Sequence, residues 1–217
     1  MSYWFKLNKL SLNIKKTNFI VFQTRNKKLP NGNLTIKIDD TVIEQVNNTK
    51  FLGVIINNKL TWDEHIKTIY NKVSKSIGII YRIRHNIPSA TLINLYHTLV
   101  HPYYEYCNII WGSNNSTALQ RLGRSQKRAV RAVVFAGYRS HTAPIFKRLN
   151  IISLTKINKV QTACFVYKVL NNLLPSQFNS FLHPIIWFII IKLDNIQNYI
   201  LYVVVLKFVL TASAFMV

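Results

Sequence analysis

The apolar residues of this chain change their spacing near residue 61. Before that point, short apolar runs such as residues 19–22 stand between turn residues, which predicts strands. From residue 62 to residue 182, apolar residues recur every three or four positions, which predicts amphipathic helices. The sequence therefore predicts an α+β fold, with a short N-terminal helix and a small antiparallel β region followed by an all-helical bundle.

The β region ends in a stretch, KFLGVIIN at residues 50–57, that predicts a further strand. Gly53 lies inside this run, and a glycine within a strand commonly marks a bulge or a close approach of another backbone. Thr61 then stands where it can cap a helix. Asp63 and Glu64 would occupy the first turn of that helix, where the helix dipole favours negative charge.

Asp39 and Asp40 are the only adjacent aspartates in the sequence. Paired aspartates can hold two metal ions for nucleotidyl transfer. Asp also favours turns, however, and the flanking residues 34–38 and 41–46 alternate as strands, so the pattern favours a hairpin turn. Since the sequence contains no P-loop, GxSxG or HExxH pattern, the residues alone indicate neither a catalytic centre nor a bound cofactor or metal.

The chain carries 28 Lys and Arg against 7 Asp and Glu, a formal net charge of +21. Such an imbalance favours a polyanionic partner, either nucleic acid or an anionic membrane surface. No acidic residue occurs between Glu105 and Asp194, whereas twelve Lys or Arg do. The densest basic segment is a predicted helix at residues 117–135, whose arginines recur at spacings of three and four and so share one face. Its candidate phosphate-contacting residues are Arg121, Arg124, Lys127, Arg128 and Arg131. A solvated helix face is the alternative interpretation.

Several separated blocks of the sequence resemble, in one order, reverse transcriptases of non-LTR retrotransposons, particularly those of jockey-like elements. The segments WFKLNKLSLNIKKTNFIVF and IEQVNNTKFLGVIINNKLTWDEHI are similar to the stretch that follows the catalytic Tyr-Ala-Asp-Asp hairpin in that family. Four later blocks, among them LQRLGRSQKRAVRAV and HTAPIFKRLNIISLTKI, resemble the helical region downstream. The resemblance covers about residues 2–182.

The resemblance implies a domain organisation and a partner. Residues 1–60 would be a palm remnant with a primer-grip-like hairpin, and residues 61–183 would be the helical thumb and the region after it. A lysine at the position of Lys16 lies toward the incoming nucleotide in the family. The block that forms the tight primer-grip hairpin matches Phe51, Leu52 and Gly53. The implied partner is an RNA/DNA primer-template or another nucleic acid.

The resemblance also implies what the chain lacks. Met1 falls where the family has just completed its metal-binding aspartates, so the Mg²⁺ of the full-length enzymes would have no ligands here. We therefore expect a non-catalytic fragment that retains a nucleic-acid-binding surface, or a non-functional relic of a mobile element. Two cysteines without a CxxC pattern are typical of an intracellular protein, and a nuclear location would suit this function.

Residues 184–217 form an apolar tail that departs from the family. Residues 199–217 carry a single charge, Lys207, and approach the length of about 20 residues that spans a bilayer. An alternative interpretation is thus a tail-anchored protein whose basic helices lie near anionic lipid head groups. Lys207 counts against it, because a lysine near mid-span costs about 2.5–3.5 kcal/mol.

Overall fold

The computed structural model describes residues 2–23, 34–38, 40–114 and 116–175. The chain divides into two units, Met1–Ile69 and Tyr70–Val217, and the division falls inside the long helix α2 (Asp63–Ile83). All of the described strands belong to the first unit, and every described element of the second unit is a helix. The predicted α+β class, with strands before residue 61 and helices after it, is confirmed.

The elements are short in the first unit and longer in the second. The strands are β1 (Asn18–Phe19), β2 (Lys37–Ile38), β3 (Thr41–Val42), β4 (Glu44–Gln45), β5 (Asn48–Phe51) and β6 (Val54–Asn57). The other helices are α1 (Ser2–Leu7), α3 (Ser89–Leu99), α4 (His101–Glu105), α5 (Asn108–Trp111), α6 (Thr117–Val133), α7 (Ala143–Arg148) and α8 (Leu154–Leu170). Single 3₁₀ turns lie at Ile14–Lys16 and Arg84–Asn86.

Strands β5 and β6 form an antiparallel hairpin in which Phe51 pairs with Val54. The prediction of one continuous strand over residues 50–57 was therefore wrong. The chain reverses at Leu52 and Gly53, whose φ angles are 44° and 85°. Positive φ at both central residues is what a type I′ turn requires, and the twist of that turn matches the twist of paired strands. Glycine adopts this conformation without strain, whereas Leu52 is held in it by the pairing on either side.

The remaining strands are two residues long and pair in two different ways. The predicted hairpin around residues 39 and 40 is confirmed, because β2 and β3 pair antiparallel with Asp40 at the turn, while Asp39 lies outside the described residues. Strand β1 instead pairs with β4 in parallel, with Asn18 opposite Glu44. The antiparallel prediction does not hold for this pair, since parallel neighbours need a long crossover that local sequence patterns do not reveal.

Helix α2 begins at Asp63, two residues after Thr61, the predicted cap. Thr61 is bonded to Asn57, whose Oδ1 accepts from the Thr61 amide at 2.8 Å and whose Nδ2 donates to the Thr61 hydroxyl at 2.6 Å. Glu64 lies in the first turn of α2, as predicted, and accepts from Asn48 Nδ2 at 2.8 Å. These bonds join strands β5 and β6 to the start of the helix.

The helices of the second unit enclose an apolar core. Aromatic side chains of three helices, Tyr96, Tyr104 and Trp111, are completely buried in it. The part of α2 that belongs to this unit contributes the stripe predicted from its spacing, Val73, Ile77 and Ile80, and α6 contributes Leu122, Ala129, Val130 and Val133. Helix α7 was not predicted, since six residues are too few to show a helical period.

In the portion of the chain covered by the structure, no helix is both long and apolar enough to cross a membrane. The span predicted at residues 199–217 lies outside that portion.

Candidate nucleic-acid interface

Helix α6 separates its apolar and basic residues onto opposite faces, as its spacing predicts. It begins where the hydroxyl of Ser116 accepts from the Leu119 amide at 3.2 Å, which satisfies one of the free N–H groups of the first turn. Four of the five predicted cations are exposed, and Arg131 is half-buried. The separation lets one side of the helix pack into the second unit while the other faces solvent.

Gln126 fixes the position of α6. Its side chain is 1% exposed. Nε2 donates to the Tyr96 hydroxyl at 3.1 Å and to the Ile152 carbonyl at 2.9 Å, and Oε1 accepts from the Leu154 amide at 2.8 Å. One buried side chain thus joins α6 to α3 and to the first residue of α8. Burial raises the pKa of Tyr96 to about 12, so its hydroxyl stays neutral in this network.

A second buried contact joins α6 to α4. The hydroxyls of Ser125 and Tyr104 lie 3.1 Å apart, and the Ser125 hydroxyl also donates to the Leu122 carbonyl at 2.6 Å. Burial raises the pKa of Tyr104, which keeps the phenol neutral. Because both buried polar side chains of α6 have partners, the outer face of the helix is held in one orientation.

The outer face of α6 forms one wall of a concavity with a volume of about 430 Å³. All five predicted cations line it, together with two tyrosines and a serine. The lining residues are Arg121, Arg124, Lys127, Arg128, Arg131, Ser125, Tyr70 and Tyr138. The structure therefore brings the predicted phosphate-contacting residues together at one place, which we call the α6 cavity.

Two of the arginines rest on aromatic rings. The Arg121 guanidinium lies 4.4 Å from the ring centroid of Tyr70, and that of Arg128 lies 5.7 Å from the centroid of Tyr81, within the range of cation–π attraction. Hydrogen bonding with Arg121, followed by that with Ser74, lowers the pKa of Tyr70. Both tyrosines follow the apolar spacing of α2, but they are half-buried, and each lies beneath an arginine.

The other three cations differ in whether their side chains make hydrogen bonds within the protein. Arg131 Nε donates to the Ser140 carbonyl at 2.9 Å, so part of its hydrogen-bonding capacity holds the loop that follows α6. Arg124 and Lys127 are exposed, and their side chains have no hydrogen bond or ion pair with any described residue. They are the cations of the cavity best placed to meet an external anion.

No carboxylate among the described residues neutralises the α6 cavity. The ion pair found in this part of the chain joins His101 and Glu105 at 3.5 Å, and no α6 cation takes part in one. The segment that lacks acidic residues in the sequence thus also lacks carboxylate partners in the described structure. An anion such as a phosphate group could supply the missing counter-charge.

The predicted site residues of the first unit lie at two separate positions. Phe51 and Leu52 are 61% and 74% exposed at the tip of the β5–β6 hairpin, with Gly53 completing the turn. Lys16 is exposed at the end of the 3₁₀ turn before β1. Within the described residues, no hydrogen bond or ion pair links Lys16 to the hairpin tip.

The donor groups that the structure describes do not form a metal site. They contain no cluster of three His, Cys, Asp or Glu that could hold a metal ion. The described residues therefore offer no ligand set that fits the Mg²⁺ of the reverse transcriptases that the sequence resembles. What the described part of the α6 cavity offers to a ligand is positive charge, hydrogen-bond donors and aromatic rings.

Sequence reasoning missed Tyr138, which lines the α6 cavity and is 83% exposed. It lies in the loop between α6 and α7, where no period assigns a side chain to a face. The one signal was its position between Gly137 and Arg139 in a basic segment, since aromatic and basic residues together are typical of nucleic-acid-binding surfaces.

The fold and the cavity thus define a strongly basic α+β protein with a concave cationic surface on its helical unit. Comparison with known proteins shows a sequence similarity to one of them. A "Probable RNA-directed DNA polymerase from transposon X-element" of Drosophila melanogaster is 20% identical to the chain over 162 residues. These residues are 73% of this chain and 17% of the relative, so the chain spans about one sixth of the relative's length. The similarity supports a relationship to retrotransposon RNA-directed DNA polymerases. No protein-family model matches the chain, and no solved structure matches it significantly.

Proposed function

We propose that the second unit binds the phosphate backbone of nucleic acid through the α6 cavity. The observation that carries this proposal is the convergence of five cations on one concavity, without a carboxylate partner among the described residues. Arg124 and Lys127 make the primary contacts, because their side chains are not engaged elsewhere in the described structure. Arg121, Arg128 and the free nitrogens of Arg131 add further contacts. Backbone contacts of this kind give affinity but no sequence recognition.

The relationship to a retrotransposon polymerase supports nucleic acid over other polyanions. The name of the relative denotes an enzyme that makes DNA under the direction of RNA, an activity that requires contact with nucleic acid. For this chain we propose the binding of nucleic acid and not polymerisation. The described residues offer a cationic surface for binding but no cluster of metal ligands for nucleotidyl transfer.

At a finer level we propose that the chain is a palm-and-thumb portion of a jockey-like reverse transcriptase. Residues 1–60 would then be a palm remnant, and residues 61–183 the thumb and the region after it. The preferred partner would be an RNA/DNA primer-template. The β5–β6 hairpin and Lys16 would lie near the primer end, which is supported by the exposed tip and by a glycine that permits close approach of a nucleic-acid backbone.

Affinity measured across a salt series tests the proposal. The full-length chain is titrated with a labelled RNA/DNA hybrid while anionic vesicles and an unlabelled DNA duplex compete. Five phosphate contacts would give a slope of log K against log salt of about −4 to −5, because each contact contributes about −0.9. A slope near zero, or stronger competition from vesicles than from duplex, would overturn the proposal.

A further inference from the structure

One aromatic ring in the α6 cavity is open to a ligand. Arg121 lies over the ring of Tyr70, whereas Tyr138 has no cation, ring or hydrogen-bond partner among the described residues. The exposure of Tyr138 (83%) leaves its ring accessible from the cavity. Such a ring is a stacking surface for a nucleic-acid base.

A second concavity adjoins the first. A groove of about 1000 Å³ lies between α6, α7 and the start of α8, and Arg124 and Lys127 line both the groove and the α6 cavity. The far side of the groove adds Lys147 and Lys156, and Phe146 forms part of its apolar surface. The two freest cations of α6 therefore form a ridge between two concave surfaces, and further cations continue beyond it.

We infer that these two concavities favour an unpaired strand of nucleic acid, whereas a duplex contacts only their cations. Phosphates lie on the ridge of Arg124 and Lys127, one base stacks on Tyr138, and the strand continues past Lys147 and Lys156. Bases in a duplex are paired and stacked on one another, so only an unpaired base can enter the cavity and present its face to the ring. A volume of about 430 Å³ falls within the range of small-ligand pockets. The inference rests on the proposed function and specifies its ligand.

Substitution of Tyr138 tests the inference. The full-length chain is titrated with an oligo(dT) of about twelve nucleotides, a length within the usual range of single-strand sites. Tyr138→Ala should weaken binding about tenfold, while Tyr138→Phe, which keeps the ring, should bind like the unchanged chain. The salt slope should stay the same in both variants, because neither removes a cation. Binding to a blunt DNA duplex should be unaffected.

The path of the strand has its own test. Lys147→Gln combined with Lys156→Gln should reduce the salt slope for the same oligo(dT) by about 1.4, because single-strand contacts contribute about 0.7 each. An unchanged slope would show that the strand does not follow the groove.

The outcomes separate this inference from the proposed function. If Tyr138→Ala leaves oligo(dT) binding intact, or weakens duplex binding equally, the single-strand inference is wrong while phosphate binding stands. If neither the oligo(dT) nor the duplex binds with a salt-dependent affinity, the proposed function fails as well.

Discussion

Replacing Gln126 with leucine is expected to destabilise the second unit by about 3 kcal/mol or more. The substitution removes three hydrogen bonds and leaves the Tyr96 hydroxyl, the Ile152 carbonyl and the Leu154 amide without their partner. The Tyr96 hydroxyl and the Leu154 amide are buried, and each buried group left unsatisfied costs about 1–3 kcal/mol. In a chain of this size, the loss corresponds to a fall in Tm of about 6–12 °C, measurable by calorimetry or circular dichroism.

Gln120→Leu is the matched control for this prediction. Gln120 lies on the same helix but is exposed, and no described residue hydrogen-bonds to its side chain. Its substitution should change the free energy of unfolding by about 0.5 kcal/mol or less. Equal melting temperatures for the two variants would show that the buried glutamine does not hold α6 in place.

Replacing Arg124 and Lys127 together with glutamine is expected to weaken duplex or hybrid binding on the order of 50-fold at 0.1 M salt. Loss of two phosphate contacts should also make the salt slope shallower by about 1.8. Stability should change little, because both side chains are exposed and unpaired with any described residue. Affinity and slope are read from the same titrations by fluorescence anisotropy.

A control with the same change in net charge distinguishes local contact from general attraction. Lys159 and Lys168 are exposed on α8 and line neither concavity. Their replacement by glutamine removes two charges away from the proposed surface, so it should leave the slope almost unchanged. If both double variants lose affinity equally, binding reflects the overall positive charge and the α6 cavity has no special part.

The class of fold could be predicted from sequence because it depends on local spacing. The change of period near residue 61 separated strands from helices, and the basic face of α6 followed from arginines three and four residues apart. The residue pattern missed the reversal at Leu52 and Gly53, because a leucine at positive φ has no signature in the sequence, although the resemblance to reverse transcriptases implied a tight hairpin there. The parallel pairing of β1 with β4 was missed for a related reason, since it depends on residues far apart in the chain.

The candidate site was predictable in part. Its five cations were predicted from the sequence, but the sequence does not show which of their side chains are engaged in hydrogen bonds within the protein. Arg131 is engaged by the Ser140 carbonyl, nine residues away in the sequence. Gln126 has partners 26 to 30 residues away, and a single polar residue within an apolar face does not reveal them. Tyr138 lies in a loop, where periodicity assigns no direction.

Protection of Lys127 from an amine-acylating reagent would show whether nucleic acid contacts the outer face of α6. Labelling of each lysine in the full-length chain is followed by mass spectrometry with and without saturating nucleic acid. We predict that bound nucleic acid slows acylation of Lys127 several-fold, while Lys159 on α8 reacts at the same rate in both samples. Equal acylation of Lys127 in free and bound protein would mean that nucleic acid does not bind at this face.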